Sequence, residues 1–206
     1  MPVTFKQGDM FGTRADAIVN TVNCVGVMGK GVALEFKRRW PENYEEYREL
    51  CQRNALRPGK VFVHRNNDML DRESWRFLIN FPTKDHWKQK SKIEYVDKGL
   101  DDFLLQVRNL GIRSVVLPPL GCGNGGLEWL DVKALITRKL SSVDDVAFFV
   151  FEPTETTSAA TLEKAKARTT KNGKRSGSVK MEMTFERAVL IKAFGDLSGY
   201  FGGNLT

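Results

Sequence analysis

The chain has 206 residues, of which 41% are apolar, and carries 32 lysines and arginines against 25 aspartates and glutamates. That length suits one domain of ordinary size, or one domain with an extension. No run of about 18 apolar residues occurs, which excludes a helix spanning a membrane, and the opening MPVTFKQGDM has no apolar signal-type core. The three cysteines, Cys24, Cys51 and Cys122, are odd in number and show no C-x-x-C spacing. A reducing cytoplasm is therefore expected, with no disulfide framework and no metal site. Residues 1–152 hold 23 basic against 20 acidic side chains, and residues 153–206 hold 9 against 5. The second segment is the more basic for its length; such an excess favours polyanionic partners or serves solubility alone.

Residues 3–7 and 17–22 read as strands. Residues 31–40 read as a helix, with Val32, Phe36 and Trp40 spaced i, i+4, i+8. Pro41 stops that helix or starts the next, over 42–54. Strands follow at 61–65 and 75–81, joined by the polar turn Asn66-Asn67-Asp68. Ile93, Val96, Leu100, Phe103, Leu104 and Val107 share one face of an amphipathic helix that Gly111 ends. A buried strand at 114–117, a helix at 128–140 and a wholly apolar strand at 146–151 complete the pattern. The order β-β-α-α-β-β-α-β-α-β predicts an α/β sandwich, a mixed sheet between helix layers, with ligands at the carboxyl ends of central strands. Around Glu152 the composition changes. Residues 153–180 read as a basic flexible linker, and residues 181–206 regain helical periodicity at Phe185, Val189 and Phe194.

Two glycine-rich loops each follow a strand and precede a helix: NTVNCVGVMGKGVA (20–33) and LPPLGCGNGGLEW (117–129). Glycine lets backbone N–H groups approach an anion closely, and a helix start adds unpaired donors and a positive dipole end. Two such loops suggest a ligand with two phosphates gripped from both sides. GCGNGG formally fits the dinucleotide pattern G-x-G-x-x-G. It falls late in the domain, and Asp144 and Asp145 precede the last strand instead of ending one, so a nicotinamide oxidoreductase is disfavoured. The first loop lacks G-x-x-x-x-G-K-[ST] and is no P-loop.

Further motifs frame the loops: Gln7-Gly8-Asp9-Met10 after the first strand, Ala17-Ile18-Val19-Asn20-Thr21-Val22-Asn23, Gly29-Lys30-Gly31-Val32-Ala33, and Leu117-Pro118-Pro119-Leu120-Gly121-Cys122-Gly123. In this order, across some 150 residues, they resemble a macrodomain, an ADP-ribose-binding α/β/α fold. NTVNCVGVMGKG, INFPTKDHW (79–87) and PPLGCGNGGLEW are similar to the DNA ADP-ribosyl glycohydrolase macrodomains of DarT/DarG toxin–antitoxin systems. In that family a toxin attaches ADP-ribose to thymine in single-stranded DNA, and the macrodomain removes it, a repair reaction.

The resemblance implies roles by position. Asp9 accepts from the adenine amino group and the Met10 backbone reads the ring edge. Gly29, Lys30, Gly31 and Val32 line one side of the diphosphate. Gly121, Cys122, Gly123, Asn124, Gly125 and Gly126 line the other. Asn20 and Thr83 join this ADP-ribose-binding set. Asn23 holds the distal ribose hydroxyls, and Lys84 with Asn23 forms the catalytic set. Asn20 and Asn23 also have a plainer reading, bonding loop backbone. Cys24 and Cys122 read as small packing residues, and His64 as structural.

Lys84 can also be argued from chemistry. It follows a strand end and a proline in Phe81-Pro82-Thr83-Lys84, which fixes its backbone. A neutral lysine at a ligand edge can attack a sugar anomeric carbon, activated by desolvation or nearby positive charge; direct attack by water, with Lys84 stabilising charge, is the other route. The stretch Lys84-Asp85-His86-Trp87-Lys88-Gln89-Lys90-Ser91-Lys92 mixes cations with an aromatic, the way single strands are held. His86, Trp87, Lys88 and Lys90 are therefore expected DNA contacts, unless Trp87 is buried under the helix that follows.

The expected protein is a cytoplasmic monomer with no cofactor and no metal, acting on ADP-ribosylated single-stranded DNA as an antitoxin. The other readings are a hydrolase of ADP-ribosylated protein carboxylates and a non-catalytic ADP-ribose-binding module. The stretch from Met181 resembles the start of a toxin-binding C-terminal domain, most of which this chain lacks, so the cognate transferase toxin is a conditional partner.

Overall fold

A computed structural model describes residues 3–66 and 75–153. The expected linker and C-terminal helix lie outside the described residues apart from Pro153, as does the 66–68 turn apart from Asn66. The elements are β1 (Val3–Lys6), a 3-10 turn (Met10–Gly12), β2 (Ala17–Val22), α1 (Gly31–Arg39), α2 (Pro41–Gln52), β3 (Phe62–Arg65), β4 (Phe77–Pro82), α3 (Ile93–Asn109), β5 (Ser114–Leu117), α4 (Trp129–Leu140) and β6 (Ala147–Phe151). They build one six-stranded sheet in the order β1-β6-β5-β2-β4-β3. Every neighbouring pair is parallel except β3–β4. This is the expected mixed sheet between helix layers. Among the described residues, no helix is long and apolar enough to cross a membrane.

Element boundaries follow local chemistry. Pro41 both stops α1 and starts α2: it occupies the first helical position, where its missing N–H costs nothing. The preceding Trp40 is forced out of helical geometry (φ −132°, ψ 77°) and caps both helices. Gly111, at φ +62°, ends α3 in the left-handed conformation. The 3-10 turn at Met10–Gly12 has no hydrophobic period and was not legible; Asp9 Oδ1 caps it by accepting from Phe11 N–H at 2.9 Å.

The period-2 alternation of the strands divides the core in two. Ala17, Val19, Phe77, Ile79, Phe81, Val115, Leu117, Phe148 and Val150 face α3 and α4, among Val96, Leu100, Phe103, Val132 and Ile136. Ile18, Val22, Leu78, Val116 and Phe151 face α1 and α2, among Phe36, Tyr47 and Cys51. Asp16 sets the register at the amino end of the sheet. Its Oδ2 accepts from the backbone N–H groups of Arg113 (2.8 Å) and Ser114 (3.0 Å), tying β2 to β5. At the other end α3 packs against β4 through Gly99, where a Cβ would overlap the Phe81 ring. A glycine inside a helix costs about 1 kcal/mol relative to alanine; here it permits the close approach that seats Phe81, three residues before Lys84.

Candidate active site

Three adjacent parallel strands, β5, β2 and β4, run out at the same edge of the sheet. β2 delivers the first glycine loop, β5 the second, and β4 delivers Thr83 and Lys84. Parallel pairing therefore brings together segments about a hundred residues apart in sequence, at the position where open α/β sheets bind ligands. The segment after β4 is stitched to the first loop. Thr83 N–H donates to the Val22 carbonyl (3.0 Å), and Cys24 N–H donates to the Asp85 carbonyl (2.9 Å).

Asn23 organises the first loop. Its Oδ1 accepts from the N–H groups of Val25 (3.0 Å) and Val27 (3.3 Å), and its amide donates to the Val27 carbonyl. The Tyr47 hydroxyl, from α2, donates to the Asn23 backbone carbonyl at 2.8 Å and lies 3.1 Å from Asn23 Oδ1. The plainer reading of Asn23 is thus directly visible: it shapes the loop from a buried position. Beyond it, α1 begins at Gly31 with no acidic residue in its first turn and no side-chain cap. The amides of Gly29, Lys30, Gly31 and Val32 take no partner among the described residues. With exposed Lys30 beside them, they make an anion-accepting start.

The second loop is tighter. Gly121 has φ +71°, and a Cβ there would sit 2.8 Å from Leu127 Cδ1. A Cβ on Gly125 would overlap the Gly121 carbonyl and the Ser91 hydroxyl. Ser91 lies buried beneath the loop and donates its N–H to the Gly125 carbonyl (3.0 Å). Cys122, Gly126 and Leu127 spend their amides inside the loop, whereas those of Gly123, Asn124 and Gly125 take no partner among the described residues. The two loops meet: Asn124 Nδ2 lies 3.5 Å from where a Cβ on Gly31 would be.

Lys84 joins the loops. Its backbone carbonyl faces Cys24 Sγ at 3.5 Å, and its Nζ donates to the Asn124 carbonyl at 2.5 Å. Partial burial lowers its pKa below the ordinary lysine value of 10.5. The thiols move the other way. Burial, with Asp85 adding to it, pushes Cys24 up to about 12. Burial, with Glu128 adding to it, does the same for Cys122. Both stay protonated and pack, as expected, and Cys122 Sγ turns to the Leu120 carbonyl (3.6 Å). Among the described residues no group of three His, Cys, Asp or Glu side chains could hold a metal.

Asn20 lies beneath the first loop, its Nδ2 3.8 Å from Met28 Sδ, and does not line the loop's open side. It is fully buried, and its Nδ2 donates to Asn80 Oδ1 (3.0 Å), while Asn80 Nδ2 donates to Asn43 Oδ1 (2.6 Å). This ladder links β2, β4 and α2 under the first loop, in line with the Asn20–Asn80 register. Asp9 and Met10 lie after β1, separated from β2 by β6 and β5; the Asp9 carboxylate is exposed and the Met10 side chain is buried. Trp87 is 49% exposed and not tucked under α3. Tyr47, Ser91, Asn43 and Asn80 were not picked out from sequence. A signal existed for Asn80, the one strongly polar residue in the buried strand FLINFP; none existed for Ser91.

A macro domain family model matches residues 19–136. A DNA ADP-ribosyl glycohydrolase of Thermus aquaticus is 41% identical over 191 residues, covering 93% of this chain and 49% of that protein. The chain thus spans about half the length of the curated relatives it matches. The macrodomain of Mycobacterium tuberculosis DarG is 44% identical, with a TM-score of 0.71, over 74% of this chain and 98% of that one. Thermosipho africanus DarTG in complex with ADP-ribose is 34% identical, with a TM-score of 0.67, over 73% of this chain and 42% of that one. The family model and the likeness in fold agree: the chain belongs to the macrodomain family, in its DarG group.

Proposed function

We propose that this domain removes ADP-ribose from thymine bases of single-stranded DNA, with Lys84 as nucleophile. The observation that carries the reading is the seat of Lys84: a partly desolvated amine fixed to loop backbone where both glycine loops converge. The name of the Thermus aquaticus relative supports the reaction class, and the ADP-ribose complex of the Thermosipho africanus protein supports the ligand. The unpartnered amides of residues 29–32 and 123–125 receive the two phosphates, with Thr83 at the edge, and exposed Asp9 and the Met10 backbone take the adenine.

In the first step the neutral Lys84 amine bonds to C1 of the distal ribose. The glycosidic C–N bond breaks, and thymine leaves with its electron pair and collects a proton. The ribose ring opens to an iminium on Lys84 after that nitrogen loses its proton. Water adds to the iminium carbon, the C–N bond breaks, and free ADP-ribose and the lysine amine are regenerated. Asn23, through its hold on the first loop, keeps the distal ribose in register. We further propose an antitoxin role opposite a DNA ADP-ribosyltransferase; a Thermosipho africanus relative named as a fusion of DNA ADP-ribosyl transferase and DNA ADP-ribosyl glycohydrolase supports that pairing.

The test is release of ADP-ribose from a thymine-ADP-ribosylated single-stranded oligonucleotide by the full chain, with chelator present. Wild type cleaves; Lys84→Ala binds ADP-ribose and loses at least about 100-fold in rate. Lys84→Arg, which keeps the charge and cannot deprotonate, fails equally. An active Lys84→Arg would instead assign the bond-forming role to water. Wild type that binds ADP-ribose and cleaves no thymine linkage overturns the substrate assignment.

A further inference from the structure

Residues 84–91 form a bridge clamped at both ends: Asp85 accepts from Cys24 of the first loop, and Ser91 donates to Gly125 of the second. The middle of this bridge is a turn, closed by Gln89 N–H donating to the His86 carbonyl (3.0 Å). Its side chains make a stacked aromatic pair: the His86 and Trp87 rings lie 5.6 Å apart, inclined by 26°. Lys88 N–H donates to His86 Nδ1 (3.2 Å), which fixes the imidazole, and the Lys88 ammonium sits 5.1 Å from the indole centroid. Trp87 nevertheless keeps 49% of its surface in water. Lys88 and Lys90 are exposed, and no ion pair holds either of them among the described residues.

An indole left half in water forgoes the favourable burial of its apolar surface. This one is pre-oriented by a neighbouring ring and a closed turn, so little ordering entropy remains to be lost on binding. It stands three positions after Lys84, a backbone span of at most about 11 Å. A flat, pre-oriented π-face with exposed cations beside it matches a nucleobase followed by its phosphate. An ADP-ribosylated protein carboxylate brings no obligatory aromatic plane beside the linkage, whereas a DNA strand always does.

We propose that the His86–Trp87 stack is the seat of the nucleobase adjacent to the modified thymine, and that Lys88 leaves the indole for the phosphate between the two nucleotides. This rests on the DNA-hydrolase reading above and adds to it a chain-length requirement: the substrate is a strand of at least two nucleotides, recognised beyond the ADP-ribose itself. The stack is sequence-tolerant, because every base has a π-face.

The experiment uses the full chain and two readouts. Steady-state kinetics compare a thymine-ADP-ribosylated oligonucleotide with the ADP-ribosylated thymidine mononucleotide. Fluorescence anisotropy follows a labelled, unmodified single-stranded oligonucleotide. Trp87→Ala lowers the ratio of kcat/KM for oligonucleotide over mononucleotide roughly ten- to fifty-fold, acting mainly on KM; Trp87→Phe restores most of it. Anisotropy binding weakens by a similar factor. Equal loss on both substrates makes Trp87 a structural residue and overturns the proposal, as does an unchanged ratio, which leaves this face to a protein partner. Wild type that binds the oligonucleotide through Trp87 but cleaves neither substrate keeps the stacking seat and rejects the hydrolase reading.

Discussion

At the scale of single residues, Lys84 is the most consequential side chain. Burial disfavours its ammonium, so the free protein holds more neutral amine near neutrality than a surface lysine would. A bound diphosphate works in the opposite direction and stabilises the ammonium. With a neutral nucleophile, kcat/KM, which reports the free protein, rises with pH along a limb centred below 10.5. The corresponding limb of kcat, which reports the complex, lies at higher pH. A pH–rate series on the oligonucleotide substrate checks both; a kcat/KM that is flat across that range would show that Lys84 does not act as a free amine. The candidacy of Lys84 was legible from the resemblance of INFPTKDHW to the family motif, to which the proline and strand end before it add only a fixed backbone. The destination of its amine was not, since the Asn124 carbonyl lies 40 residues away.

At the scale of elements, the second glycine loop shows why composition and geometry differ in what they reveal. Six residues, GCGNGG, announce a phosphate loop. They do not announce that Gly125 is walled in by the Gly121 carbonyl and by Ser91, while Gly123 faces open space. Gly125→Ala should destabilise the fold by about 1–3 kcal/mol through overpacking and weaken ADP-ribose binding at least tenfold. Gly123→Ala should leave the thermal midpoint in place, because its Cβ meets nothing within 4 Å. Thermal melts and ADP-ribose titrations of the two variants, side by side, give the comparison; equal melting would mean that the loop relaxes freely. The same limit on legibility applies to Tyr47. It is buried in the helix PENYEEYRELCQ, where i, i+4 spacing sets it with Asn43 and Cys51 on the inward face. Its hydroxyl's task, holding Asn23, depends on how α2 crosses the first loop.

At the scale of the whole molecule, the described residues build a core on each side of the sheet: six strands alternate their faces, and α1–α2 and α3–α4 cover one face each. The solved Mycobacterium tuberculosis macrodomain, a separate domain, covers 74% of this chain. A fragment of residues 1–153 should therefore fold alone, bind ADP-ribose as the full chain does, and melt within about 4 °C of it, the shift of roughly 1 kcal/mol in a domain of this size. Loss of cooperative melting in the fragment would show that residues beyond 153 belong to the same folding unit.

The sequence by itself determined the element order, the two-faced sheet, the two phosphate loops and the lysine that follows β4. Each is written in local periods, glycine spacing and strand–loop–helix succession, which short-range sterics and hydrophobic burial suffice to set. Only the tertiary structure decided that β4 and β5 flank β2, so that the loops and Lys84 meet. It alone placed Asn20 in a buried ladder with Asn80 and Asn43, and left Trp87 stacked on His86 in water. Those outcomes rest on contacts between distant segments, and such contacts exist only once strand pairing has chosen the neighbours.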